Sequence, residues 1–310
     1  MNQINIRGVD HFYQFIESES AESSKPVLVF IHGWLLSYQY WIPLINQLKG
    51  EYSCLAYDLK GFGSSRLPSS FMTQNNGDNN QLFSENIPLC FNLHSYAQDL
   101  KELLTKLKIH KAWLIGHSLG GSIALWGADI CNDIVQGVIC INAGGGIYLK
   151  EEFERFRKAG ENLVKFRPQW FLKIPFFDFI FARMMVKKPL EITWGKQRLK
   201  DFLFADEKAA IGSLLESTTE DEVHYLPQIV ARLSQPVYFI AGKQDQIMET
   251  QYVKHLASFH CLFQDHQRNV YEIDQCGHFA MLEQTELVSK YTFSLIQANQ
   301  NNISPNKMLR

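Results

Sequence analysis

Six short runs of apolar, largely β-branched residues recur along the chain, and turn residues followed by a helical pattern come after each of them. The runs are Val27–Ile31, Cys54–Tyr57, Ala112–Ile115, Val135–Ile141, Val237–Ile240 and Val270–Ile273. This alternation predicts an α/β fold. Runs such as VLVF and VYFIA are apolar at consecutive positions, which is typical of strands covered on both faces. The sheet is therefore expected to be mostly parallel.

Helical patterns lie between and after these runs, and two further segments lack any periodicity. The helices are expected at Tyr38–Leu48, Ser95–Leu107, Ser118–Ile130, Thr250–Ser258 and Glu283–Gln297. Ser95 and Gln98 fit a capping box at the start of the second helix. The segment Ser69–Phe83, which contains NNGDNN, predicts a surface loop, and the tail from Ala298 onward predicts a frayed end.

One long segment breaks the alternation of strands and helices. Between about Gly146 and Gln235 the chain has helical patterns without intervening strand runs. We therefore expect a core formed by residues 1–145 and 236–310, with residues 146–235 inserted as a helical cap.

Composition and charge narrow the classes of protein to consider. The chain has 310 residues, of which 46% are hydrophobic and 20% charged, so a large core is expected. The net charge of -2 gives no basic footprint, which argues against nucleic acid as a partner. The six cysteines are scattered without C-x-x-C spacing and are expected to be reduced thiols. With neither a signal-peptide pattern nor a spanning apolar stretch, a cytoplasmic protein is expected, and its oligomeric state stays open.

The residues from Gly116 to Gly120 fit the pattern G-x-S-x-G, in which a serine occupies a tight turn between a strand and a helix. The apolar strand KAWLI leads into the turn, and GSIALWGADI continues as a helix. Ser118 is therefore the candidate nucleophile, and an unreactive serine at a glycine-rich turn is the alternative. The helix N-terminus also offers backbone amides that can stabilise an oxyanion.

A serine nucleophile needs a histidine as proton acceptor and a carboxylate that orients this histidine. His278 follows the strand NVYEID through a short loop and precedes a helical run, whereas several other histidines lie in helical or polar surface segments. Asp245 follows the strand PVYFIAG, and the rival position after the preceding strand carries Asn142 instead of a carboxylate. Asp245 and His278 are therefore the candidate acid and base, and surface-loop residues are the alternative.

Two further turns complete a resemblance to a known family. His32-Gly33-Trp34 resembles the H-G-x turn of α/β-hydrolases, and the stretch from Asp58 to Ser65 is similar to their D-x-R-G-x-G-x-S turn, with Lys60 in place of arginine. For Asp58 we expect a structural role, in which it caps a turn that needs glycine. The resemblance implies an α/β-hydrolase sheet flanked by helices and an oxyanion hole formed by the backbone amides of Trp34 and Leu119.

The inserted segment is rich in aromatic residues with basic residues between them, and its position matches the helical cap of such folds. One interpretation is that the apolar side chains pack the cap onto the core while the charges are solvated. The other is an apolar acyl or isoprenoid pocket, with a basic amphipathic surface that makes peripheral contact with lipid membranes. For this pocket we name His117, Phe177 and Phe181 as candidate lining residues.

The expected function is hydrolysis of a carboxylic ester or related acyl substrate through an acyl-enzyme. In this superfamily an aspartate at position 118 would have indicated haloalkane dehalogenases or epoxide hydrolases, so Ser118 argues against both. A carbon-carbon bond hydrolase, a lyase similar to the menaquinone-pathway synthase, and a small-molecule receptor with weak turnover remain as alternatives. Neither a metal nor an organic cofactor is expected.

Overall fold

The sheet has the predicted α/β architecture. The computed structural model describes residues 2–20, 25–68, 89–144, 150–264 and 269–301, without the side chains of residues 150–153. Within these ranges the sheet contains eight strands, which we number in chain order: β1 (Asn2–Ile6), β2 (Val9–Ile16), β3 (Val27–Ile31), β4 (Cys54–Tyr57), β5 (Ala112–His117), β6 (Val135–Ile141), β7 (Val237–Gly242) and β8 (Val270–Ile273).

The spatial order of the strands is β1-β2-β4-β3-β5-β6-β7-β8. The pairs β1/β2 and β2/β4 are antiparallel, and all other neighbouring strands are parallel. The carboxyl ends of β5, β6 and β7 therefore lie at one edge of the sheet, where α/β folds place their ligands. The predicted fold class is confirmed.

Helices cover both faces of the sheet. The described α-helices are α1 (Ile42–Leu48), α2 (Leu93–Lys106), α3 (Leu119–Ile130), α4 (Lys150–Lys165), α5 (Phe177–Phe181), α6 (Ile192–Phe204), α7 (Glu207–Ser217), α8 (Glu220–Arg232), α9 (Thr250–Ala257), α10 (Ala280–Glu283) and α11 (Thr285–Gln300). Short 3-10 helices occupy Tyr38–Trp41, Gln169–Lys173 and Cys261–Phe263. The helices α4 to α8 all lie in the chain between β6 and β7.

The core consists of two apolar layers, one on each face of the sheet. Along β3, Val29 and Ile31 belong to the layer under α2, α3 and α8, whereas Leu28 and Phe30 belong to the layer under α1 and α11. All four side chains are inaccessible to solvent. Burial on both faces explains why the strand sequence is apolar at consecutive positions.

The N-terminal hairpin is absent from the sequence-based prediction. β1 and β2 pair antiparallel and are joined by Arg7 and Gly8, both of which have positive φ, +48° and +84°. Two such residues between strands form the tight turn that matches the twist of a hairpin. The hydrophobic pattern of this hairpin is weak, because β1 is largely exposed and only Ile6 within it is buried.

Three predicted helix limits need correction. The helix at residues 93–106 starts at Leu93, and its N-cap is Asn92, whose side chain accepts a hydrogen bond from the Ser95 amide at 2.8 Å. The capping box predicted at Ser95 is therefore wrong. The segment predicted as Tyr38–Leu48 is a 3-10 helix followed by α1. The last helix reaches Gln300, three residues beyond its predicted end; the predicted loop at 69–83 and the tail after residue 301 lie outside the described residues.

The turn that begins at Asp58 has the structural role expected from the sequence. The two carboxylate oxygens of Asp58 each accept a backbone hydrogen bond of 2.7 Å, from Tyr38 and from Ser64. Gly61 and Gly63 have φ of +82° and +54°. Glycine adopts positive φ more easily than other residues because it has no Cβ. The turn thereby fixes the loop after β4 close to the helices of the inserted segment.

Candidate active site

Ser118 occupies a strained turn between β5 and α3. Its backbone has φ of +51° and ψ of -119°, a conformation that persists in non-glycine residues only where the surroundings enforce it. A Cβ on Gly116 would lie 2.2 Å from the carbonyl oxygen of Gly120, and one on Gly120 would lie 2.2 Å from that of Ile31. Glycine is therefore required on both sides of the turn, which brings Ser118 to the wall of a cavity.

His278 and Asp245 form a buried hydrogen-bonded pair. His278 follows β8, and its Nδ1 lies 2.8 Å from Oδ2 of Asp245, which follows β7. Oδ1 of Asp245 accepts hydrogen bonds from the amides of Ile247 at 2.8 Å and Met248 at 3.0 Å. Burial acts to raise the pKa of Asp245, but the charge and hydrogen bond of His278 and the two amides outweigh it and lower that pKa. An ionised Asp245 holds the proton of His278 on Nδ1, so Nε2 can accept one.

Asn142 is a residue of this site that the sequence analysis did not assign. It follows β6, and its Nδ2 donates to Oδ2 of Asp245 at 2.8 Å and to the carbonyl of Gly277 at 3.1 Å. Its Oδ1 accepts from the amide of Ala280 at 3.3 Å. Asn142 thus fixes the carboxylate and the loop that carries His278. The available signal was its position directly after a buried parallel strand.

His117 supports the same loop from the end of β5. Its Nε2 lies 2.7 Å from the carbonyl oxygen of His278, so Nε2 carries the proton and donates it in this bond. Burial lowers the pKa of His117 to about 3, which keeps the imidazole neutral. Its ring stacks on Phe279 with the centroids 5.4 Å apart. His117 also lines the cavity, at the place expected for it.

The turn of His32, Gly33 and Trp34 lies directly against the serine turn. A Cβ on Gly33 would lie 2.7 Å from Nδ1 of His117 and 3.2 Å from Cβ of Ser118. The indole of Trp34 donates to the carbonyl of Ala210 in α7 at 2.8 Å. Trp34 and Leu119 both line the cavity beside Ser118. Leu119 is the first residue of α3, so its amide has no intrahelical acceptor.

The cavity is formed jointly by the sheet edge and the inserted segment. Its volume is about 210 Å³, and Ser118 and His278 lie in its wall. Most of the lining from the inserted segment is apolar and comes from Phe156, Leu163, Phe181, Met184, Phe202 and Leu214. Phe181 therefore lies where the sequence analysis expected it. Phe177 does not line the cavity, because its ring packs against Phe171 at 4.9 Å and Phe181 at 5.7 Å between centroids.

A buried cation, Arg198 of α6, also lines the cavity. Its guanidinium lies 4.3 Å from the centroid of Phe279 and donates to the carbonyls of Phe181 and Met184. Burial lowers the pKa of Arg198 to about 10, so it stays protonated at neutral pH. Arg198 thereby ties α6 to the end of α5 and the residues that follow it, and it places one positive charge in the cavity wall.

The described residues show neither a metal cluster nor a membrane-spanning helix. Those residues contain no cluster of three or more His, Cys, Asp or Glu side chains that could hold a metal ion. The helices described there include none that is long and apolar enough to cross a membrane.

Comparison with known proteins shows the family to which this chain belongs. Residues 26–285 match the family model described as alpha/beta hydrolase fold. A bifunctional esterase/perhydrolase of Acinetobacter calcoaceticus is 25% identical over 253 residues, which cover 78% of this chain and 80% of that protein. Human epoxide hydrolase 4 is 23% identical over 309 residues, covering 94% of this chain and 78% of that one.

The fold also has a solved counterpart along its whole length. A thermophilic esterase from Thermogutta terrifontis superposes with a TM-score of 0.72 at 18% identity, covering 96% of this chain and 99% of that one. The family model spans residues 26–285, which is most of the chain. The chain belongs to the alpha/beta hydrolase fold family and is a hydrolase of that fold.

Proposed function

We propose that this hydrolase cleaves carboxylic esters or related acyl compounds through a triad of Ser118, His278 and Asp245. The observation that carries the proposal is the buried pair of His278 and Asp245, 2.8 Å apart, in a cavity whose wall also contains Ser118. A serine hydroxyl becomes nucleophilic when an oriented imidazole accepts its proton. The same chemistry does not suit an epoxide hydrolase of this superfamily, in which an aspartate takes the place of Ser118.

The reaction proceeds in two halves. Ser118 Oγ attacks the substrate carbonyl while His278 Nε2 takes the hydroxyl proton and then passes it to the leaving alcohol. Water then attacks the carbonyl of the acyl-enzyme while His278 takes its proton, and His278 returns this proton to Ser118 Oγ as the acid is released. Asp245 holds the tautomer of His278 and stabilises the imidazolium that forms in each half. Its hydrogen bonds from Ile247, Met248 and Asn142 keep its carboxylate in place.

The oxyanion of the tetrahedral intermediate binds to the backbone amides of Trp34 and Leu119. Both residues line the cavity beside Ser118. The positive end of the α3 dipole adds to this stabilisation. Gly33 permits the two turns to approach, because any side chain there would collide with His117 and Ser118.

The inserted segment acts as a cap over the site and supplies the acyl pocket. Support comes from its apolar side chains in the cavity wall, among them Phe181, Phe202 and Leu214. An apolar lining favours an acyl group with little polarity. The esterase activity in the names of two similar proteins is consistent with this substrate class.

The test compares two serines of the same cavity wall, Ser118 and Ser122. We expect Ser118→Ala to lower kcat for a short p-nitrophenyl ester by about three orders of magnitude or more, as triad losses do. Ser122→Ala serves as the matched control and should stay within a few-fold of wild type. A fluorophosphonate probe should add its mass to the peptide that contains Ser118 and to no peptide of the folded Ser118→Ala variant.

The alternatives are separated by the fate of the ligand. In a metabolite and lipid extract, an esterase consumes an ester that the Ser118→Ala variant leaves intact, and an acid and an alcohol appear. Products of carbon-carbon cleavage or elimination would instead assign the triad to the hydrolase or lyase alternatives. A ligand released unchanged by wild type would assign the chain to the receptors and refute the proposal.

A further inference from the structure

The inserted segment exposes an unusual amount of apolar surface. Nine large apolar side chains between residues 163 and 192 are at least 40% exposed: Leu163, Phe166, Trp170, Leu172, Phe176, Phe179, Ile180, Met185 and Ile192. We call them the apolar face. Elsewhere in the described ranges only Tyr225 and Phe259 are large, apolar and comparably exposed. Such clustering marks an interaction site, since scattered exposure is the usual case.

A chain of ring contacts connects part of the apolar face to the cavity. The rings of Phe166 and Trp170 both contact Phe171, at 6.1 and 4.9 Å between centroids. Phe171 in turn contacts Phe177, which contacts Phe181 in the cavity wall. The half-buried rings of Phe171 and Phe177 therefore connect two residues of the apolar face, Phe166 and Trp170, to the cavity wall.

Positive charge accompanies the apolar face. Residues 163–192 contain six Lys and Arg residues but only two Asp and Glu residues, in a chain whose net charge is -2. Five of these cations have exposed side chains: Lys165, Lys173, Arg183, Lys187 and Lys188. Lys165 forms an ion pair of 2.6 Å with Glu161. Arg183 lies over the ring of Phe179, with its Cζ 3.2 Å from the centroid. Aromatic and aliphatic side chains with interleaved cations fit an anionic apolar partner.

The apolar face reaches the active-site cavity. Leu163 and Met185 belong to both, because each is at least 40% exposed and each lines the cavity. The carbonyl of Met185 also accepts a 2.8 Å hydrogen bond from the amide of His278. The apolar face therefore shares two residues with the cavity wall, and one of them contacts the residue that acts as base.

We infer that the apolar face binds the surface of an anionic lipid bilayer and that the cavity takes acyl lipids directly from it. The first half of this inference is independent of the proposed ester hydrolysis, and the second half rests on it. A second copy of the chain is a poorer partner, because its own cations would face those of the first copy at close range. Anionic headgroups of a bilayer carry the charge opposite to that of these cations.

The binding test uses sedimentation with vesicles of phosphatidylcholine, with and without phosphatidylserine. Wild type should bind the anionic vesicles, and added salt should weaken this binding. The double variant Trp170→Ser and Phe176→Ser should reduce the binding at least tenfold, because it removes two exposed aromatic side chains. Neither residue lines the cavity, so the active site is left intact. The matched control is Phe259→Ser, which removes an aromatic side chain that is 41% exposed but lies outside the apolar face. This variant should bind vesicles as wild type does.

The charge test compares two pairs of exposed lysines. Lys187→Gln with Lys188→Gln should weaken binding to anionic vesicles about thirtyfold, at about fivefold per cation. The control pair, Lys108→Gln with Lys111→Gln, lies just before β5 and hence at the opposite edge of the sheet from the site. This pair should bind as wild type does.

Activity then separates the two halves of the inference. The Trp170→Ser and Phe176→Ser variant should hydrolyse a water-soluble ester as wild type does but an ester embedded in anionic vesicles at least tenfold more slowly. Binding by the Ser118→Ala variant should equal that of wild type, so a failure of the ester proposal would leave the binding result intact. The inference would be overturned by absence of wild-type binding or by equal losses in the control variants. It would also be overturned if wild type formed a dimer, the Trp170→Ser and Phe176→Ser variant were a monomer, and both bound vesicles equally.

Discussion

Replacing Asn142 by alanine tests whether the arrangement around Asp245 depends on this buried amide. Asn142 has no solvent exposure and connects three elements through its side chain. Its loss leaves three groups without that partner: Oδ2 of Asp245, the carbonyl of Gly277 and the amide of Ala280. Position 142 also has a positive φ of +48°, a conformation that asparagine adopts more readily than alanine does.

The expected loss of stability follows from these bonds. A hydrogen bond to a charged group contributes about 2 kcal/mol, and a neutral one about 1 kcal/mol. The short bond to Asp245 and the two longer ones to Gly277 and Ala280 therefore sum to about 4 kcal/mol of unfolding free energy. Asn142 is not part of the cavity lining, so KM should hardly change. The less firmly fixed Asp245 and His278 should lower kcat about tenfold, since small misplacements of catalytic groups are costly.

Asn269→Ala is the matched control, because this asparagine is equally buried but lies before β8 at the opposite edge of the sheet. Its Nδ2 makes one long hydrogen bond, 3.4 Å, to the carbonyl of Ala257. We expect a loss of about 1 kcal/mol in urea unfolding and an unchanged kcat. Wild-type kcat in folded Asn142→Ala, or equal losses of kcat in both variants, would refute the positioning role of Asn142.

Three further predictions concern the triad and the pocket. Ser118→Gly should be inactive yet more stable to urea than Ser118→Ala by about 1 kcal/mol, because glycine tolerates the φ of +51°. Asp245→Asn should lower kcat about 10⁴-fold through the wrong imidazole tautomer, whereas Asp274→Asn, at an exposed carboxylate, should retain it; the reverse result would assign the acid to Asp274. Across a series of esters with acyl chains of increasing length, kcat/KM of wild type should rise about fourfold per methylene. Phe181→Ala should flatten this increase and Phe177→Ala should keep it. Equal increases in all three proteins would reject Phe181 as part of an acyl pocket.

The parallel part of the sheet was predictable because burial on both faces leaves an unmistakable apolar run in each strand. β3 is such a strand, with Leu28 and Phe30 on one face and Val29 and Ile31 on the other. The hairpin of β1 and β2 lies at the sheet edge, where exposed positions carry polar residues and the pattern loses contrast. Of its two turn residues only Gly8 favours a tight hairpin turn, because Arg7 is not a residue that usually adopts the positive φ found there.

Candidate triad residues were accessible from the sequence because each follows a strand and because their chain order is fixed by the fold. Asn142 and Arg198 were not accessible in this way. The contacts of Asn142 join residues 103 and 138 positions away, and no local pattern contains that information. Arg198 lies among charged residues of α6 and has the appearance of a solvated cation, yet its surroundings bury it.

The misplaced Phe177 and the exposed apolar face have one physical origin. In α5, four of the five residues are apolar, Asp178 being the exception, so no rotation of the helix can hide all of them beneath one partner. The structure turns Phe181 into the cavity wall and leaves Phe179 and Ile180 at 44% and 50% exposure. A helix that is apolar on all sides requires apolar surroundings on all sides. The core covers only one side of α5, and the bilayer contact proposed above would give its other side apolar surroundings.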